Sequence, residues 1–321
     1  MSGGRLLHCR LTMSRRMMVL MPFHTPFYAP LPAGVALGHF ADEGLDVTAV
    51  PAADFGKGTM PALLDGDVEI SLGGLMRSFD LADRAGRTIV HFAEVCSRNG
   101  FFLLGREPQA AFRWPDLVGK TVISFAEAPT PWQCMLTVLR RSGVDPGRVR
   151  IERDLPVPAA VAAFRAGHGD FLEQTQPTVE QLVAEGTAHI VASMGVATGP
   201  VPFTSYMTTP EFRRREPGVM LGFTRAAYRT QRWLAARPAS DIADVIAPAF
   251  PETGRALMER IVARFKAQDT WARDPLLRRS GYDSLEQILL DGGFITRRHP
   301  YEELVDTDYA GQAIGAIGVG D

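Results

Sequence analysis

The chain has 321 residues, 46% hydrophobic and 22% charged, a globular composition that excludes a disordered or fibrous protein. Lys and Arg number 34 against 36 Asp and Glu, and a net charge of −2 provides no global field for nucleic acid or an anionic membrane. Cys9, Cys96 and Cys134 lie far apart with no metal-binding spacing; they exclude a disulfide framework and read as buried thiols.

The N-terminus places basic residues before a short apolar run, Met17–Met21. That run is too short for a signal-peptide core and no small-residue cleavage site follows it, so it reads as the first core strand. Residues 1–13 read as flexible, Met13 is a second possible start, and the expected compartment is the cytoplasm, or the periplasm with a different N-terminus. No run approaches the ~20 apolar residues of a membrane span.

Strands and helices then alternate, which predicts parallel α/β architecture. A helix is expected over 28–42, closed by Gly44 in a left-handed cap, then a strand at 45–50 and a helix at 58–64. Val68, Ile70 and Leu72 alternate into a third strand that ends on Gly73-Gly74, followed by a helix at 77–85 and a strand at 88–95. Ser97 to Gly100 is a polar link before the apolar run 101–104, and a crossing between two cores fits there. The theme repeats with strands at 120–125, 149–154, 170–173 and 189–192, and helices at 158–166 and 178–186. Between the first two of those strands, Thr130, Pro131 and Gln133 spell an N-cap, a first-turn proline and a capping box. After Tyr206 the pattern is helical, over 209–235, 240–248, 252–268 and 283–291, with prolines at the breaks. The Gly-rich segment 311–321 reads as frayed and flexible.

In open α/β sheets a ligand sits beyond the carboxyl ends of the strands, near free helix N-termini. That rule selects His24, Thr25, Phe27 and Tyr28 after the first strand, and Phe55, Gly56 and Lys57 after the second. It selects Gly73, Gly74 and Arg77 after the third, then Glu127, Thr130 and Trp132, and finally Glu173 and Gln174, with Gln176 beyond. Aromatic faces, open glycines and both signs of charge suit a small, flat, polar ligand. An anionic group could rest on the helix starts at 56–59 or 130–132. No nucleophile elbow, phosphate loop or zinc-protease motif occurs, so no catalytic residue, metal or cofactor is assigned.

Residues 23–50 contain Gly38, Phe40, Glu43, Gly44, Leu45, Asp46 and Val47, the G-x-F-x-x-E-G-L-D-V pattern after a strand, a ligand loop and a helix. This stretch, with 61–74, 116–125 and 212–234, resembles the sulfonate, nitrate and thiamine-pyrimidine-precursor binding proteins, a family that includes the thiamine-pyrimidine synthases of fungi. The resemblance covers roughly 17–235 and implies a type II periplasmic-binding-protein fold, two α/β lobes with a hinge and a helical C-terminal extension. It places one lobe at 14–100, the other at 101–205, and the return to the first lobe with the C-terminal helices at 206–310. His24-Thr25 with Phe27-Tyr28 resembles the family's N-H-T-G-[FL]-Y loop, in which the histidine faces a pyrimidine and in the fungal synthases is consumed. Here Phe23 replaces the asparagine and Pro26 the glycine, no lysine lies just upstream, and no cysteine cluster or first-loop cysteine is present.

Two readings follow. One is a solute-binding protein of ABC-transporter type, clamping a heterocyclic, pyrimidine-like or anionic small molecule, with a permease as partner and neither nucleic acid nor membrane span. The other is a cytoplasmic enzyme on the same scaffold, resembling the synthases or a biphenyl sulfinate desulfinase.

Overall fold

A computed structural model describes residues 14–318. Two five-stranded sheets organise them. The first draws on β1 (Arg15–Met21), β2 (Leu45–Pro51), β3 (Ile70–Gly73) and β4 (Val90–Cys96); the second on β5 (Phe102–Gly105), β6 (Thr121–Ile123), β7 (Arg150–Glu152), β8 (Phe171–Gln174) and β9 (His189–Ser193). The chain then returns to the first sheet as β10 (Thr204–Thr208), giving the orders β2-β1-β3-β10-β4 and β7-β6-β8-β5-β9. The apolar run in β1 is explained in its second half by its place: parallel strands flank it on both sides, and Val19 and Leu20 are fully buried, while Met18 is exposed.

The chain crosses between sheets at 97–101 and again at 194–203. Each crossing delivers a strand that enters antiparallel, one place in from an edge: β5 between β8 and β9, and β10 between β3 and β4. A third segment binds both crossings. After the helix Arg255–Ala267, Gln268 donates from Nε2 to Asn99 O (3.2 Å) and accepts at Oε1 from Ser193 Oγ (2.6 Å), while Ser97 N donates to Thr270 O (2.9 Å).

The motif that carried the resemblance is scaffold. Gly44 sits at φ 72° and turns the chain into β2, which an L side chain would resist. The Glu43 carboxylate receives Arg225 and, at 2.7 Å, Arg229 from the helix Pro217–Ala236, and Phe40 packs on Phe223 of that helix at 4.8 Å.

Several expected elements differ. The helix over 28–42 is a short turn Pro26–Tyr28, a helix Pro30–Ala36 and a second turn Ala41–Glu43, because prolines and glycines divide it. Pro217 likewise splits 209–235 into Pro210–Arg215 and Pro217–Ala236. Thr130 is not an N-cap: the helix Pro129–Arg141 starts on the earlier proline with Ala128 at the cap and no capping box. Of segment 311–321, read as flexible, residues 311–318 belong instead to a helix Asp308–Gly318 packed on Pro217–Ala236, with Ala310 and Ala313 fully buried, and 319–321 lie outside the described residues. Small residues there permit close approach between helices. The readings on 1–13, including Cys9 and the alternative start, lie outside the described residues. Cys96 and Cys134 are buried free thiols. Among the described residues no helix is long and apolar enough to cross a membrane.

Candidate functional site

Between the two sheets lies a cleft of about 260 Å³. The carboxyl ends of β1, β3, β6 and β8 open onto it, as do both crossings. Its wall is a belt of rings drawn from all of these: Phe23 against Phe125 (6.2 Å between centroids), Phe125 against Phe101 (4.9 Å), Phe101 against Phe203 (6.5 Å), Phe203 against Phe27 (5.8 Å) and Phe27 against Tyr28 (5.2 Å). Edge-to-face neighbours hold each ring in place and leave an apolar surface toward the cavity.

Polar groups interrupt the belt at a few points. Gln174 and Gln176 line the cleft and are 1% exposed. Backbone N–H groups fix both amide oxygens: Thr175 N donates to Gln174 Oε1 (3.3 Å) and Glu180 N to Gln176 Oε1 (3.1 Å). Both Nε2 atoms are left with no partner, so each side chain presents free N–H donors. The Tyr28 hydroxyl hydrogen-bonds with Thr204, and burial pushes its pKa well above the usual phenol range. Arg77 stands exposed at the rim. Glu127, also at the rim, accepts from Val157 N at Oε1 (3.2 Å). At the start of helix Pro129–Arg141, Pro129 and Pro131 lack N–H groups, so the first three helical positions offer an anion only the Thr130 N–H.

The lobes are clasped across this cleft. Thr25 Oγ1 donates to Gln176 O (2.7 Å) and Thr130 Oγ1 to Met76 Sδ (3.1 Å). Deeper in, the buried Glu180 carboxylate of the helix Thr178–Ala184 receives Arg264 (3.0 Å) and Arg260 (3.4 Å) from the helix Arg255–Ala267. Removing a partner from a buried carboxylate costs more than removing the carboxylate from half-exposed arginines. Arg264→Ala is therefore expected to lose about 2 kcal/mol of stability and Glu180→Gln less. Urea unfolding of the two variants measures this, and equal losses would remove the charge argument.

Of the residues chosen from sequence, His24, Thr25, Phe27, Tyr28, Gly74, Arg77, Glu127, Thr130 and Gln174 line the cleft together. Phe55, Gly56, Lys57, Gly73, Trp132 and Glu173 do not. Gly56 closes the short helix Ala52–Phe55, and Lys57 pairs with Asp65 (2.6 Å) and Asp67 (2.5 Å). Gly73 lies in β3 against the Met207 side chain, and the Trp132 ring stacks under the Arg153 guanidinium at 4.6 Å. Glu173 is fully buried, accepts from Ser124 Oγ (2.6 Å), and burial raises its pKa to about 7. His24 is half-exposed; its ring stacks on Phe250 (5.0 Å) and its Nε2 lies 2.8 Å from Ala249 O, the geometry of a donated N–H. Phe23, Phe101, Phe125, Phe203 and Thr204 were missed because apolar residues at a strand end or a crossing read as core. Among the described residues no group of three His, Cys, Asp or Glu side chains is placed to hold a metal ion.

The arrangement of sheets, crossings and cleft has relatives. A family profile described as NMT1/THI5 like matches residues 22–240. The chain belongs to the NMT1/THI5-like family. Within reach of that assignment, it is 31% identical over 289 residues to YtlA of Bacillus subtilis (strain 168), covering 89% of this chain and 86% of YtlA. Among solved structures, the periplasmic sulfonate-binding protein SsuA of Methylobacillus flagellatus KT superposes with a TM-score of 0.73 at 14% identity, over 96% of each chain. The desulfurization enzyme DSZB superposes with a TM-score of 0.66 at 14% identity, over 94% of this chain and 99% of DSZB. These likenesses show the fold expected of the NMT1/THI5-like family, a type II periplasmic-binding-protein fold of two α/β lobes joined by a hinge.

Proposed function

We propose that this protein is a solute-binding protein that closes its lobes on a small molecule with an apolar, flat or chain-like body and an acceptor head group, a sulfonate or carboxylate, for delivery to an ABC permease. The observation that carries this reading is the pair of buried, unpartnered amide NH2 groups of Gln174 and Gln176 set in a wall of aromatic rings. A buried donor left without an acceptor costs about 1–3 kcal/mol, which a bound head group would recover. YtlA carries the name of a candidate binding protein and SsuA that of a sulfonate-binding one, which agrees with this chemistry. DSZB's name makes it an enzyme, but neither cysteine among the described residues is activated as a thiolate: burial pushes the Cys134 thiol up to about 12 and the Cys96 thiol well above its usual value.

The test is a panel of alkyl and aryl sulfonates, aromatic carboxylates, nitrate and pyrimidines, followed by thermal unfolding and by the mass of the recovered ligand. A ligand at ~100 times its Kd adds ~2.7 kcal/mol to stability, a clear rise in Tm. Unchanged sulfonate or carboxylate is the expected result, with Gln174→Leu weakening binding by about tenfold or more. Turnover of a ligand, or a response confined to pyrimidines, would overturn the reading.

A further inference from the structure

At the hinge, a groove of about 270 Å³ runs between both crossings and the segment that follows helix Arg255–Ala267, and none of the cleft-lining residues contributes to it. Ser97 and Arg98 come from the first crossing, Pro200 from the second, and Asp269 to Asp274 from the third segment. Most charges here cancel in pairs. Arg273 holds Asp269 at 2.6 Å, and Arg278 holds Asp274 through two bonds of 2.6 and 3.1 Å.

Two groups do not cancel. Glu94 is 6% exposed, and although its N–H donates to Pro275 O (2.8 Å) and its carbonyl accepts from Gln231 (2.6 Å), no hydrogen bond reaches its carboxylate among the described residues. Arg98 donates to Gly195 O (3.3 Å) and, among the described residues, meets no carboxylate. A buried carboxylate that receives no hydrogen bond and a guanidinium held only by a backbone carbonyl line one groove, and each has capacity for a further partner of opposite charge. Trp271 lines the same groove.

We propose that this groove is a second small-molecule site that takes a zwitterion of the α-amino-acid type, its ammonium on Glu94 and its carboxylate on Arg98. Burial raises the Glu94 pKa to about 8, with Arg278 favouring its charge and Asp274 opposing it. An ammonium arriving there displaces the proton, so affinity rises as the pH approaches 8. Since the groove is lined by all three segments of the hinge, its occupant sits where the lobes pivot.

Glycine is the probe, and the reporter is the Trp271 indole N–H, a distinct NMR signal held on Phe27 O at 3.0 Å. Glycine is expected to shift that signal saturably, more tightly as pH rises toward 8, and equally well in Gln174→Leu, which disables only the cleft. Glu94→Gln and Arg98→Ala should each weaken glycine by about tenfold or more. Methylammonium and acetate, each carrying half of the probe, should bind at least about tenfold more weakly than glycine to the unaltered protein. The absence of a saturable shift, acetate binding as well as glycine, or undiminished affinity in both variants would overturn the proposal.

Discussion

Gly100→Ala is expected to destabilise the protein by about 1–3 kcal/mol and to weaken solute binding in the same step. Gly100 lies in the first crossing, and a Cβ there would stand against Cε2 and Cδ2 of the Phe27 ring, well below any real carbon–carbon contact. The ring cannot retreat, because Tyr28, Phe203 and Phe265 surround it with centroids at 5.2, 5.8 and 5.9 Å. Relief must come from moving Phe27 toward the cleft or from straining the crossing, whose Gly100 carbonyl also accepts from Thr175 Oγ1 at 3.1 Å. Gly218→Ala, where nothing stands within 4 Å, is the control and should leave stability unharmed. Urea unfolding and ligand titration give the two readouts. Because the clash is with one ring, Phe27→Leu in the Gly100→Ala background should cost far less than the two substitutions summed, and strict additivity would refute this account.

Glu173→Gln is expected to raise stability by only about 1 kcal/mol at pH 5 and by about 3 kcal/mol at pH 8. The carboxyl is fully buried, and burial lifts its pKa from 4.5 to about 7, against the opposing hydrogen bonds of Ser124 and Phe125 and the charge of Arg153. The folded chain therefore holds a proton that the unfolded chain has released between those two values. Its stabilising contribution is complete below about 4.5 and is lost as pH rises through about 7. Glutamine cannot ionise, so the variant loses that part of the pH slope. Glu94, raised to about 8, leaves a residual slope of the same sign. Melting curves of both proteins at a series of pH values test this, and parallel curves would show that Glu173 is already ionised at pH 5. The neighbouring Gln174 faces the cleft, so an anionic solute should also bind more weakly as Glu173 charges.

The strands were legible because burial on both faces writes continuous apolar runs, as in Val19–Met21 and residues 101–104. The stretch from Gly38 to Val47 was legible for a related reason: Glu43 must meet Arg225 and Arg229, and Gly44 must turn left-handed, so several residue types are fixed together. The site was legible only in part. The rule that ligands lie beyond strand ends found His24 to Tyr28 and Gln174, but it cannot say which way a loop turns. The Phe55–Lys57 loop turns away, with Lys57 bound to its own neighbours Asp65 and Asp67. Phe101 and Phe203 escaped because they are distant in sequence and become one wall only when the two crossings lie side by side.

The insertion of β10 between β3 and β4 has a consequence for how the protein is made. Every strand of the second sheet lies between residues 102 and 193, so that sheet can be complete before the chain reaches 204. The first sheet cannot: until Thr204–Thr208 leaves the ribosome, β3 and β4 each keep an unpaired inner edge. At a synthesis rate of roughly 5–20 residues per second, those edges stay open for several seconds while later residues are added. The sheet begun first is thus the last to be completed, and the inner edges of β3 and β4 are the ones open to wrong pairing during synthesis.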